Sequence, residues 1–506
     1  MSQAGASNPL HAFPGGLKLR HHKQISCQQP PAQARLPERL YIPIGQHQGE
    51  AGALLVEPGQ QVVRGQPLTA SEDDFTVPAH ASTSGSITGV VEWPASWPPG
   101  SSRRCIEIIS DGQDRSAEPN PLTEWTSQDP ERIIDHLRSM GLAGLGGAMF
   151  PTAAKLRGDW EDMDTLIVNG AECEPWISCD EMLMRSRPGA VIEGALILAR
   201  ACRAERILVA IEDQMGAVAK ALVQARRQHD PEGRIRIVKV PAIYPEGGER
   251  QLIQVLTGKE VPHDGLPQDL GLVCHNVATA AAAHDAVKEG HPLTERIVTV
   301  TGPGIRHPGN LIVRIGTRIG ELVDQAGGYT DQVARLVLGG PMSGLALTTD
   351  DIPVTKGSNC ILALESDQVE RQYPTMPCIN CGECVCVCPA SLLPQLLFKA
   401  IAAEQDEQAA ELNLFDCIEC GCCAQVCPSH ILLVDWYRHG KDRLRLKQLD
   451  QRRANLARRR HEARQARLER QQAEREARRE RRRKKLTAPD QAKSEIEAAI
   501  KRARKK

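Results

Sequence analysis

Apolar and polar positions along the chain fall into several regimes. VEPGQQVVRGQPL (56–68) and VPAHASTSGSIT (77–88) alternate apolar residues with turn signals, the pattern of short half-buried strands. ERIIDHLRSM (131–140) reads as a helix. TLIVNGAECEP (165–175) reads as a strand running into an acidic loop. RILVAIED (206–213), the helical MGAVAKALVQARRQ (215–228) and RIRIVKV (234–240) form a β-α-β unit and predict a parallel sheet. RIVTVTGPGIRHPGNLIVRIGTRIGELVDQAGG (296–328) alternates as strands do and then turns helical. LLPQLLFKAIAAEQDEQAAEL (392–412) predicts a helix, and the last stretch, 438–506, a long charged helix with interspersed i,i+4 pairs. No apolar run approaches the ~18–20 residues of a membrane-spanning helix. The N-terminal MSQAGASNPLHAF lacks a basic start and an apolar core, so no secretory signal is expected.

Composition adds three things. A chain of 506 residues exceeds one hydrophobic core, so several domains are expected. Aromatics at 3% argue against a nucleic-acid reader built on base stacking. The net charge of −1 hides a split: residues 438–506 hold 27 Lys+Arg against 10 Asp+Glu, leaving 62 − 27 = 35 basic and 63 − 10 = 53 acidic residues in 1–437. The tail is +17 and the body −18, an asymmetry that points to an acidic or membrane-surface partner.

Seventeen cysteines without an export signal are expected to be thiols or metal ligands in a reducing, cytoplasmic compartment. Cys378, Cys381, Cys384 and Cys388-Pro389 give C-x2-C-x2-C-x3-C-P, and Cys417, Cys420, Cys423 and Cys427-Pro428 repeat it. Zinc sites use two separated C-x2-C knuckles rather than two four-cysteine runs ending in proline. The pattern resembles bacterial ferredoxins, in which the fourth cysteine ligates the other cluster. That implies two [4Fe–4S] clusters, one on Cys378, Cys381, Cys384 and Cys427, the other on Cys417, Cys420, Cys423 and Cys388. Gly382 and Gly421 fall where backbone must approach a cluster. Cys386 and Cys422 are spare and are expected to be small buried side chains beside a cluster.

Upstream, GLAGLGGAMFPTAAKL (141–156) is a glycine-rich loop that suits a phosphate, with Lys155 adding charge at a helix start. It is not the G-x-G-x-x-G fingerprint. GLGGAMFPTAAKL, NGAECEP, YPEGGERQLI (244–253) and HNVATAA (275–281) are together similar, in order, to segments of the NADH-binding subunit of respiratory complex I. By that resemblance Gly144, Gly146, Gly147, Lys155, Asn169, Glu172, Glu249, Asn276 and Thr279 are FMN or NADH contacts. Ala171 stands where that family has an aspartate and Gly248 where it has a glutamate. No acid–base catalytic residue is assigned; Glu172 and Glu249 are expected to orient the nicotinamide or tune flavin charge.

The 56–88 region resembles a biotinyl/lipoyl-like barrel-sandwich fold, with His80-Ala81-Ser82 where a carrier lysine would stand, so its role is read as structural. The 296–328 region resembles the soluble-ligand-binding type of β-grasp. FPGGLKLRHHK (13–23), these modules, GGPMSG (339–344) and the double cysteine motif occur in an order that resembles the RnfC component of the Rnf (Rsx) ion-translocating electron-transport complex over about residues 10–437. The expected organisation is multidomain α/β. It comprises an N-terminal extension (1–35), a barrel-sandwich domain (36–118) and a Rossmann-like α/β FMN/NADH domain (119–293). An SLBB-like β-grasp (294–345), a 2[4Fe–4S] ferredoxin-like domain (365–437) and a basic helical tail (438–506) follow. The resemblance implies electron entry from NADH through FMN and two [4Fe–4S] clusters into other Rnf-type subunits, with ferredoxin at the far end of the complex. It also implies a peripheral place on the cytoplasmic side of the inner membrane. The tail is read as a solvated helix or as an arm for anionic lipid, with nucleic acid the least favoured partner. A soluble diaphorase subunit and an iron–sulfur relay with an empty flavin fold are the alternatives.

Overall fold

A computed structural model describes residues 10–158, 163–369, 373–486 and 489–505. The strands Arg39–Pro43, Ser102–Ser110, Gly85–Pro94 and Gln61–Val62 form an antiparallel sheet in that order. Ile42, Val62, Ile106 and Ile108 close its small core. The turn carrying His80 is packed under the next domain: a Cβ on Gly141 would stand 2.8 Å from the His80 Nδ1. Burial, then the nearby Lys356, holds the His80 pKa down at about 3. A turn so enclosed is a structural element rather than a swinging carrier.

The next layer is an all-parallel sheet, Ile235–Val240, Arg206–Glu212, Thr165–Gly170 and Leu272–Asn276 in spatial order. Its two middle strands are near-continuously apolar because helices cover both faces. Leu166, Ile167, Val168, Ile207, Val209 and Ile211 are all fully buried. Helices Pro130–Ser139, Pro188–Cys202, Gly216–His229 and Val277–His284 pack on one face and Glu249–Thr257 on the other. Helix Pro130–Ser139 starts where Asp129 accepts a hydrogen bond from the Glu131 N–H and Pro130 presets the first turn. Pro188–Cys202 crosses Val277–His284 so closely that a Cβ at Gly194 would lie 1.7 Å from the Ala280 carbonyl oxygen. Only glycine fits there.

The β-grasp follows. Glu295–Thr301 and Gly309–Arg314 form a hairpin, helix Ile319–Gln325 crosses it, and Cys360–Glu365 returns parallel beside the first strand. Val333–Leu338 and Leu345–Leu347 complete that edge. The sheet therefore draws on residues past 345, and Ala32–Gln33 of the N-terminal extension pairs parallel onto its other edge.

The cysteine module is built on short helices and sealed by the start of a 54-residue helix, Leu433–Leu486. Leu433, Tyr437 and Leu444 of that helix lie in its core. The helix is about 81 Å long at 1.5 Å per residue, and residues 451–484 of it are exposed. The single helix expected over 392–412 is instead two, Pro394–Ala402 and Asp406–Glu411. Between them Glu404 takes a left-handed φ of 55°. The break is tertiary in origin: Arg443 and Lys447 of the long helix both grip Asp406. Among the described residues no helix is long and apolar enough to cross a membrane.

Candidate functional site

A cavity of about 760 Å³ opens at the carboxyl ends of the parallel strands, where ligands of such sheets bind. All nine residues proposed from the sequence as cofactor contacts line it. The glycine loop forms one wall. Gly147 has a φ of +103°, and a Cβ there would meet no protein atom within 4 Å, so the loop presents bare backbone to the cavity. Two of the nine hold that loop in place: Thr279 Oγ1 accepts from the Leu145 N–H at 3.0 Å, and Asn276 packs against Gly146. Asn276 also caps helix Val277–His284. Asn169, at the end of a central strand, donates to the Gly247 carbonyl at 2.8 Å and accepts from the Ala171 N–H. It thereby ties the acidic loop to the YPEGGE loop. Lys155 and Glu249 pair at 2.5 Å across the opening.

Glu172 is more engaged than the sequence suggested. Its carboxylate accepts from the Asp180 and Glu181 N–H groups at 2.9 and 3.3 Å, capping helix Cys179–Ser186. Lys23 of the N-terminal extension lies 3.4 Å away and also faces Glu212 at 3.8 Å. Asp180 receives the Asn276 amide at 2.6 Å. Burial, then the Glu172 charge, raises its pKa to about 7. Glu174 is buried and accepts from the Met342 and Ser343 N–H groups, which fixes the GGPMSG loop as the far wall. A Cβ on Gly340 would stand 2.0 Å from the Glu174 Cγ. Lys23, Glu174, Asp180 and Tyr244 escaped the sequence reading, although three of them lie in or beside stretches it quoted.

Two smaller cavities lie in the cysteine module. One is ringed by Cys378, Cys381, Cys384 and Cys427, the other by Cys388, Cys417, Cys420 and Cys423. These are the two crossed sets. The halves repeat at 39 residues, and the backbone repeats with them. Asn380 and Glu419 both have φ 57°, Gly382 and Gly421 have φ 85° and 81°, and Ser391 and His430 have φ 52° and 49°. N–H groups of Leu392 and Glu419 point at the sulfurs of Cys388 and Cys417, both at 3.4 Å. Burial pushes the Cys417 thiol up to about 11, and a metal ion bound there would supply the charge that favours its thiolate. The donor set fits iron–sulfur clusters. Of the spare cysteines, Cys422 is buried against Cys173 and Tyr244. Cys386 is exposed, contrary to expectation. It falls on the solvent side of the one-turn helix Glu383–Cys386, whose buried residue is Cys384.

The large cavity and the second sulfur cavity share a wall: Ile418 and Cys420 line both. Tyr244 donates to the Cys420 carbonyl at 2.7 Å and fixes that wall.

The chain is 42% identical over 490 residues to the RnfC component of the ion-translocating oxidoreductase complex of Yersinia pestis bv. Antiqua, covering 97% of this chain and 78% of that one. The chain belongs to the RnfC family. A relative from Pectobacterium atrosepticum is 42% identical, covering 98% of this chain and 70% of its own. Another RnfC, from Pseudomonas aeruginosa, is 44% identical over 92% of this chain, which spans only 60% of that relative's length. Family models match in order: an RnfC barrel sandwich hybrid domain (11–113), a Nuo51 FMN-binding domain (137–285), an SLBB domain (297–346) and a 4Fe–4S dicluster domain (377–432). A crystal structure of an NAD+-reducing [NiFe]-hydrogenase in the H2-reduced state matches with a TM-score of 0.43 at 22% identity, covering 60% of this chain and 61% of that one.

Proposed function

We propose that this RnfC-family protein is the electron-entry point of an ion-translocating membrane complex, oxidising NADH at FMN in the large cavity. The sulfur cavities would hold two 4Fe–4S clusters, which would supply the one-electron route to other subunits, with ferredoxin at the far end. Bound FMN would take hydride as two electrons, and iron–sulfur clusters would carry them one at a time. The observation that carries this reading is the shared wall at Ile418 and Cys420.

The chain's own residues divide the work. Gly144, Gly146 and Gly147 offer backbone to a phosphate, and Lys155 supplies a cation beside them. Asn169, Asn276 and Thr279 hold the loops that shape the cavity. Glu249 holds Lys155, and Glu172 fixes the acidic loop on its helix. Cys378, Cys381, Cys384 and Cys427 serve one cluster, and Cys388, Cys417, Cys420 and Cys423 the other. The protein sits on the cytoplasmic face of the membrane, its +17 tail drawn to anionic lipid at about 1 kcal/mol per basic residue near the surface.

EPR on anaerobically purified protein, before and after NADH, with iron and flavin assayed on the same sample, tests the proposal. Two NADH-reduced 4Fe–4S signals and bound FMN are expected. Iron without flavin and without NADH reduction would make the chain a relay fed from elsewhere.

A further inference from the structure

The 39-residue repeat brings out one difference between the sulfur cavities. In the first half Asn380 sits two residues after a ligand, and the exposed Lys399 donates to its Oδ1 at 2.9 Å. In the second half the matching positions are Glu419 and Arg438, and Arg438 donates to the Glu419 carboxylate at 2.9 Å. Lys441 is then added, where the first half has Ala402. Lys441 is 5% exposed. Its ammonium donates to the Cys417 carbonyl at 2.6 Å and to Glu419 Oε1 at 2.7 Å. The Glu419 N–H in turn points at the Cys417 sulfur.

The loop needs no ion pair for its shape, because Asn380 takes the same φ of 57° without one. We infer that the ion pair between buried Lys441 and half-buried Glu419 sets the reduction potential of the cluster in the second cavity, the one that walls the large cavity. This rests on the reading that both sulfur cavities hold clusters. A thiolate-ligated cluster gains one negative charge on reduction. A cation held beside it out of water favours the reduced form, and an anion disfavours it, more strongly than in bulk solvent. Lys441 and Glu419 therefore act with opposite signs on the same cluster. The pair fixes how readily the first electron leaves the large cavity.

The test is an EPR-monitored redox titration of the full chain carrying Lys441→Met, Glu419→Gln or Lys441→Arg, with iron and sulfide assayed on each. Cys381→Ser, which perturbs only the other cluster, assigns the signals. Lys441→Met is expected to lower the second-cavity midpoint and Glu419→Gln to raise it. Each shift should be on the order of a tenfold change in the electron equilibrium, about 59 mV for one electron. Lys441→Arg should leave it near the parent value, and the first-cavity signal should not move. No shift, shifts of the same sign, or equal shifts in both clusters would overturn the inference. If Lys441→Met loses its cluster, Glu419→Gln and Lys441→Arg still decide it. Absence of cluster signals in the parent protein would instead count against the underlying reading.

Discussion

Lys23 is the residue whose removal should be felt furthest from its place in the sequence. It is buried, with its ammonium 3.4 Å from Glu172 and 3.8 Å from Glu212, and Glu181 also raises its pKa. Burial is the largest single influence and opposes its charge, yet Glu172, Glu212, Glu181 and Cys173 together outweigh it and its pKa is raised. At an effective dielectric of about 20, the two contacts are worth roughly 5 and 4 kcal/mol gross. Desolvation of the ions offsets much of that, and breaking such a buried pair leaves a net loss of about 3–5 kcal/mol. Lys23→Met should therefore lower the thermal midpoint by roughly 6–20 °C, at 2–4 °C per kcal/mol for a domain of this size.

The loss should depend on pH with a definite sign. Burial raises Glu212 to about 7 from 4.5, with Lys23 acting to lower it. A carboxyl raised in the fold keeps a proton that the unfolded chain has already released, so stability falls as pH rises through the window from about 4.5 to 7. Without Lys23 the folded pKa moves higher still and the window widens. Parent and variant lose this contribution alike up to about pH 7, where the parent's Glu212 ionises. Above it only the variant continues to lose stability, so its deficit should hold steady from pH 5 to 7 and grow by at most about 1.4 kcal/mol from pH 7 to 8. Melting curves of parent and variant at pH 5, 6, 7 and 8 measure this. A deficit that is absent, or constant across that range, would refute the electrostatic argument.

Three further outcomes are expected. Cys388→Ser should abolish or convert the EPR signal of the cluster on Cys417, Cys420 and Cys423 while sparing the other, and Cys427→Ser should do the reverse. Gly147→Ala places a methyl where no protein atom lies within 4 Å, so flavin content should fall at least tenfold while left-handed strain lowers stability by only about 1–2 kcal/mol. A chain ending at 447 keeps Tyr437, Lys441 and Arg443 and should retain both clusters. It should lose retention by anionic vesicles, measured by co-sedimentation in excess nucleic acid.

The parts of this molecule legible in the sequence are those whose chemistry is local. A cysteine run carries its ligand spacing within eleven residues, and a glycine loop carries its backbone freedom in its own letters. The parallel sheet was legible for the same reason, since its middle strands are apolar throughout. What escaped is what the fold alone brings together. Lys23 is separated from Glu172 by 149 positions, and nothing in LRHHK marks one of its basic residues as buried. Glu174 and the GGPMSG loop meet across 168 positions. The break at Glu404 was hidden because 392–412 has sound helical letters, and the grip of Arg443 and Lys447 on Asp406 comes from the far end of the module. Cys386 ends its one-turn helix at the surface, whereas Cys422 begins the other one and meets Cys173 and Tyr244, which no local letter of the sequence marks.

The proposed exchange of fourth cysteines would make each cluster a cross-link in the polymer sense. One would close a loop of 427 − 384 = 43 positions and the other of 417 − 388 = 29 positions. The second loop lies wholly inside the first. Closing loops of these lengths removes freedom from the unfolded chain worth about 3–4 kcal/mol each in the chain-entropy account. The root of the 54-residue helix is seated on this module through Leu433, Tyr437 and Lys441. Iron supply would then be a condition for setting the arm's bearing: a chain starved of metal would lose the clasp that holds its longest element at a fixed angle to the rest.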